Sequence, residues 1–164
     1  MKKVFSFLTI ITFLVSSLSA QLQISKLYSD NAVLQRNIKV PIWGTAAPGS
    51  TVNIVFDQYE LAIQTPKNGK WKMSFPAMKA GGPYKLIVSS GTEKKVFQNI
   101  LVGDVWLCSG QSNMEWSVTN SNNAEEEIKN ATDLKIRHFK VPLTNSFLPK
   151  DTLAGGTWLS LIHI

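Results

Sequence analysis

The fold class this sequence predicts is a β-sandwich N-terminal domain followed by the truncated start of an α/β domain, and three observations predict it. Between Gln21 and Gln98 short apolar runs recur at regular spacing, with turn-forming residues between them and no helical period. Within those runs apolar and polar residues alternate, as in Trp71, Met73 and Phe75 set against Lys70, Lys72 and Ser74, the period of a strand with one buried face. From Leu101 onward the order becomes strand, polar turn, helix, strand, which is how a parallel α/β sheet begins.

In chain order, residues 1–20 read as a signal peptide. Lys2 and Lys3 precede an apolar run from Val4 to Val15, and Ser16-Ser17-Leu18-Ser19-Ala20 is a small-residue stretch that a signal peptidase accepts. A membrane anchor is the weaker reading, because the run is shorter than the roughly 20 apolar residues that cross a bilayer. With cleavage near Ala20 the chain is expected to be exported, periplasmic or extracellular, with no membrane contact afterwards.

The sandwich is expected over residues 21–98. Its candidate strands are Leu22–Tyr28, Ala32–Gln35, Lys39–Gly44, Thr51–Phe56, Glu60–Gln64, Lys70–Phe75, Tyr84–Ser89 and Lys94–Asn99. Turn signals separate them at Ala47-Pro48-Gly49-Ser50, Pro66-Lys67-Asn68-Gly69, Ala80-Gly81-Gly82-Pro83 and Ser89-Ser90-Gly91. Asn68-Gly69 predicts a hairpin between the flanking runs. The aromatics Trp43, Phe56, Trp71, Phe75 and Tyr84 are expected in the core; a sugar-binding surface is the alternative use of such residues.

Residues 99–158 are expected to hold the first β-α-β part of the second domain. Leu101–Leu107 reads as a buried strand, and Cys108 beside it as a buried small hydrophobe rather than a catalytic thiol. Asn122 or Asn123 would cap a helix whose first turn holds Glu125, Glu126 and Glu127 and whose end holds Lys129, charges placed to suit the helix dipole. Leu134–Val141 alternates and reads as the next strand. Residues 159–164, Leu-Ser-Leu-Ile-His-Ile, look like an atypical apolar tail, so a truncated chain is the expectation.

Composition narrows the function classes. The chain has 17 basic and 11 acidic side chains, and loss of Lys2 and Lys3 leaves a net charge of about +4. The lysines are scattered along strands and turns instead of clustering on one element, so no nucleic-acid partner is expected. A single cysteine excludes an internal disulfide framework. His138 and His163 have no metal-ligand spacing, and neither metal nor cofactor is expected. Asn130-Ala131-Thr132 is a glycosylation sequon, relevant only in a eukaryotic secretory pathway.

The stretch from Gly103 to Trp116 carries the chemistry. A strand that ends in a Gly-Gln-Ser-Asn turn can present Ser112 at the start of a helix, where free N–H groups stabilise negative charge. The spacing Ser112-Asn113-Met114-Glu115 is equally that of a capping box, and spacing alone favours the cap over the nucleophile, although the two are compatible. The Gly-x-Ser-x-Gly elbow is not met, because Met114 stands where the second glycine belongs.

Leu101 to Trp116, with its Ser-Gly-Gln-Ser-Asn-Met core, resembles the first signature block of the sialate O-acetylesterase family. Asp30-Asn31-Ala32-Val33-Leu34-Gln35-Arg36, Pro41-Ile42-Trp43-Gly44, Gly69-Lys70-Trp71 and Ala80-Gly81-Gly82-Pro83-Tyr84 are similar to that family's N-terminal β-domain, and Ile136-Arg137-His138-Phe139 to the strand after its first helix. The resemblance implies an SGNH-hydrolase-like, flavodoxin-like α/β domain and a serine carbohydrate esterase acting on an O-acetylated sugar. It makes Ser112 the nucleophile, with its backbone N–H as an oxyanion donor, and gives Gln111 and Asn113 a part in substrate binding. It also implies that the base histidine and further oxyanion donors come from later blocks, so this chain is expected to be inactive alone. The alternative function is a non-catalytic carbohydrate-binding or scaffold module.

Overall fold

The computed structural model describes residues 21–160; the expected leader, residues 1–20, and the last four residues of the tail lie outside them. The described chain is mostly β. Its strands are β1 (Gln23–Ile24), β2 (Val33–Gln35), β3 (Val40–Thr45), β4 (Thr51–Phe56), β5 (Tyr59–Gln64), β6 (Lys70–Phe75), β7 (Gly81–Ser90), β8 (Glu93–Gly103), β9 (Arg137–Phe139) and β10 (Trp158–Ser160), with one α-helix, α1 (Ala124–Asn130).

Two sheets form the body. One has the order β1-β3-β6 and the other β2-β8-β7-β4-β5. Their pairings are antiparallel except for β2 and β8, which run parallel with Val33 opposite Leu101 and Gln35 opposite Gly103. The period-two pattern explains what each strand buries. Val52, Ile54 and Phe56 are inaccessible while Thr51 and Asn53 are exposed, and Val40 with Ile42, Trp71 with Phe75, and Leu86 with Val88 behave the same way. These side chains, together with Leu22, Ile100 and Val102, make one hydrophobic cluster drawn from both sheets. Phe56 sits at its aromatic centre, its ring centroid 5.3 Å from those of Phe75 and Tyr84. The aromatics therefore serve as core: Phe56, Trp71 and Phe75 are buried, and Trp43 and Tyr84 pack against the cluster.

Several local expectations need correction. Asn68-Gly69 does form a turn, with Gly69 N–H donating to Pro66 O at 2.9 Å. It joins no hairpin, because β5 pairs with β4 and β6 pairs with β3, so the turn carries the chain from one sheet to the other. The first strand is only two residues long, since the chain turns at Ser25, whose carbonyl accepts Tyr28 N–H at 2.9 Å. Conversely β8 runs from Glu93 through the expected boundary at residue 98 to Gly103.

The predicted strand Leu101–Leu107 ends at Gly103. Beyond it Trp106 is 84% and Leu107 94% exposed, and Cys108 is exposed rather than buried. The reason is a long-range contact: Val105 N–H, which would continue the ladder, is taken by the side-chain oxygen of Gln35 at 2.7 Å. The predicted strand Leu134–Val141 shrinks to β9, which pairs antiparallel with β10, Phe139 opposite Trp158. Among the described residues no parallel β-α-β pairing forms, and the start of the supposed tail is a strand. Trp158 leans on the main cluster, its ring 5.4 Å from Phe139 and its Nε1–H donating to Leu27 O at 2.9 Å. The helix α1 forms where predicted, with Asn123 at its N-cap in the left-handed region (φ 56°) and without a side-chain capping bond. None of the described helices is long and apolar enough to cross a membrane.

Candidate active site

Ser112 is positioned by the way β8 ends. At Gly103 the chain leaves the sheet, and residues 104–111 run in an exposed coil into a 3-10 turn at Ser112–Glu115. Met114 N–H donates to Gln111 O at 2.9 Å, which closes the turn. A Cβ at Gly110 would lie 2.5 Å from Met114 Cγ, so a larger residue there would displace the Met114 side chain. Ser112 is the first residue of the turn and is exposed to solvent. At the start of a helical turn the leading N–H groups have no partner within it, so they are free to face an anion.

The capping-box reading is corrected here. Ser112 lies inside the turn, Gln111 takes the N-cap position, and no side-chain cap bond is made. Gln111 and Asn113 flank the serine, both exposed, and their main-chain carbonyls receive the N–H groups of Met114 and Trp116. Ser112 Oγ forms no hydrogen bond with a described residue; side-chain bonding in this segment starts at Ser117, whose Oγ lies 2.7 Å from Thr119 Oγ1. His138 is exposed on β9, across from Leu159. No group of three or more His, Cys, Asp or Glu side chains suited to a metal occurs among the described residues.

What sequence reasoning missed is the brace behind this segment. Arg36 Nε donates to Asp104 Oδ1 at 2.8 Å, and the guanidinium beside Asp104 holds its carboxyl below the usual carboxylate range. Arg36 N–H bonds Gly103 O at 2.8 Å. At the other end of β2, Asp30 Oδ1 accepts Gln98 N–H at 2.6 Å, and Asn31 Oδ1 accepts Asn99 Nδ2–H at 2.7 Å. Arg137 donates to both oxygens of Asn99, at 3.0 Å for the side-chain one, which attaches β9 to β8. The clue was the block Asp30–Arg36, whose dense polar residues around a three-residue apolar strand have partners far along the chain.

No family model matches the chain. Among curated proteins it is 35% identical to mouse sialate O-acetylesterase over 133 aligned residues, covering 73% of this chain and 24% of that one. Human sialate O-acetylesterase is 36% identical over 99 residues, covering 54% and 19%. Among solved structures, a carbohydrate acetylesterase from Xanthomonas citri superposes with a TM-score of 0.84 at 36% identity, over 86% of this chain and 33% of that one. The chain belongs to the sialate O-acetylesterase family. Its match to the Xanthomonas acetylesterase is too long to lie within the β strands of residues 23–103, so it extends into the part of the chain that carries Ser112. The chain spans about a quarter of the mouse acetylesterase and a third of the Xanthomonas one.

Proposed function

We propose that this chain supplies the nucleophile-bearing N-terminal part of a carbohydrate O-acetylesterase, with Ser112 as nucleophile. The observation that carries the reading is the long match to a solved carbohydrate acetylesterase, together with an exposed Ser112 leading a tight helical turn. In this reading residues 21–98 form a β-sandwich, which two sheets sharing one core support. Residues 99–158 are the first portion of an SGNH-like α/β domain, and the leader exports the protein. The substrate is an O-acetylated sugar, and nucleic acid is not a partner.

The chemistry is acyl transfer through a covalent intermediate. Ser112 Oγ attacks the acetyl carbonyl carbon while its proton passes to a general base, and the tetrahedral oxyanion is met by the Ser112 N–H. Collapse expels the sugar hydroxyl, which takes the proton, and leaves an acetyl-serine that water hydrolyses to acetate. Gln111 and Asn113 border the position where the sugar would lie. Ser112 Oγ has no side-chain partner among the described residues, which supports a base supplied by further residues, and this chain alone is proposed to be inactive.

The test replaces the matching N-terminal third of the Xanthomonas citri acetylesterase with residues 21–158 of this chain and measures acetate release from an O-acetylated sugar. The chimera is expected to turn over, Ser112→Ala to lower kcat by roughly 10³-fold or more, and this chain by itself to release nothing. A fully active Ser112→Ala chimera would remove Ser112 from the mechanism. A non-catalytic scaffold is the second reading for the β unit. It is favoured over a sugar-binding module by the inward placement of Trp71, Phe56 and Phe75, and glycan binding by this chain that is lost on changing an exposed tryptophan would reverse that preference.

A further inference from the structure

The ladder between β2 and β8 stops at Gly103, and among the described residues no main-chain hydrogen bond ties residues 106–110 to the β unit. Asp104 and Val105 are thus the last anchored residues before the turn that holds Ser112. Both anchors come from one place, the end of β2. Gln35 Oε1 takes the Val105 N–H at 2.7 Å, and Arg36 Nε holds the Asp104 carboxylate at 2.8 Å while its own N–H bonds Gly103 O at 2.8 Å. A side-chain acceptor for a strand-end N–H fixes where the backbone goes next, because that N–H can no longer pair with a further strand. A charge-assisted bond to the neighbouring residue fixes the rotation about it.

We propose that Gln35 and Arg36 are positioning residues, a two-point clamp that sets the direction in which the Ser112 segment leaves β8. The proposal rests on the reading of Ser112 as nucleophile for its functional meaning, and on the contacts of Gln35, Arg36, Gly103, Asp104 and Val105 for its geometry. Neither residue touches the serine; they act through the six residues between Val105 and Ser112, which contain no regular structure before the turn. Arg36 and Gln35 are the groups that face Asp104, and Arg36 is the charged one, so protonating Asp104 releases one point of the clamp without a mutation.

The experiment uses the full chain, labelled with nitrogen-15, and follows amide resonances and exchange by nuclear magnetic resonance. As pH falls through the ionisation of Asp104, which Arg36 moves below the usual carboxylate range, the amides of Val105 and of Ser109 to Asn113 are expected to shift with one common midpoint. Asp104→Asn should abolish that shared transition. Gln35→Met should speed exchange at Val105 roughly fivefold, the factor lost with one ordinary hydrogen bond. Arg36→Asp alone should move the 109–113 resonances, and Arg36→Asp combined with Asp104→Arg should return them toward wild type, a rescue that a merely structural defect would not show. Resonances of Ile54 and Leu86 report whether each variant is folded, and if a variant is not, the wild-type titration decides alone. A titration in which Asp104 ionises while Ser109 to Asn113 stay still would overturn the clamp. None of these readouts depends on turnover, so an active Ser112→Ala chimera would remove the nucleophile and leave the clamp intact, and the two failures cannot be confused.

Discussion

Changing Trp158 to phenylalanine or alanine should loosen the β9–β10 hairpin from the β unit by different and calculable amounts. Three contacts hold Trp158: its Nε1–H on Leu27 O at 2.9 Å, its ring against Phe139 at 5.4 Å, and partial burial on the main cluster. Trp158→Phe keeps a ring and loses the hydrogen bond, worth about 1 kcal/mol. Trp158→Ala also loses the aromatic pair, about 1 kcal/mol, and the remaining burial, for a total of about 3 kcal/mol, at the low end for removal of a tryptophan because the site is half-buried. Local opening of the hairpin should then rise roughly fivefold and about 150-fold respectively. Limited proteolysis between residues 140 and 157, under conditions where cleavage reports the open population, measures this directly. The denaturation midpoint of the β unit should fall much less than the cleavage rate rises. Equal cleavage of wild type, Trp158→Phe and Trp158→Ala would refute the reasoning and assign the attachment to Arg137 on Asn99, or to Lys26 Nζ on Ala154 O at 2.6 Å.

Two further outcomes test the β unit. Tyr28 is buried with its hydroxyl on Pro41 O, and burial raises its pKa, so the folded state favours the neutral phenol. That contribution is complete below the unfolded tyrosine value of about 10 and is lost as pH rises toward the folded value; Tyr28→Phe should cost about 1 kcal/mol at neutral pH and flatten the alkaline decline in urea midpoint. Gly44→Ala should cost about 3 kcal/mol, the upper end for overpacking, because the new Cβ would collide with Gln23 O across the β1–β3 pair and lie 2.6 Å from the Trp71 ring; a loss below about 1 kcal/mol would mean that β1 is free to move.

Much of the β unit was legible because its signals are local. Period-two alternation in Thr51–Phe56 and Lys70–Phe75 located strands whose buried faces are those predicted, and Gly and Pro clusters located their ends. Pairing was not legible. Asn68-Gly69 encodes a turn, yet which strand lies beside β6 depends on β3, some 30 residues earlier in the chain, and no dipeptide reports that. Leu101–Leu107 misled for a related reason: an apolar run says that side chains want burial, whereas the strand ends where Gln35 intercepts the Val105 N–H across 70 residues of sequence. Ser112 itself stood out in sequence, and the turn around it formed, but as a 3-10 turn led by Ser112 in place of a helix capped by it.

The division between stability and chemistry follows from where the buried residues lie. Every buried hydrophobic side chain among the described residues falls between Leu22 and Val102, while Trp106, Leu107, Met114 and Trp116 around the serine are exposed. The β unit therefore needs nothing from the Ser112 segment to fold, and Ser112→Ala should change its stability by no more than about 0.5 kcal/mol. The segment, by contrast, is held by contacts with the β unit on either side of it: Gln35 and Arg36 at its start, and after it Arg137 on Asn99, Trp158 on Leu27 O, Lys26 on Ala154 O and Lys70 on Asp151. Substitutions at those positions should alter the direction of Ser112 with little effect on the core, and core substitutions such as Gly44→Ala should do the reverse. Such a split suits the proposed role of Ser112 as nucleophile, which would need the serine placed to within a fraction of an ångström by contacts that do not themselves belong to the core.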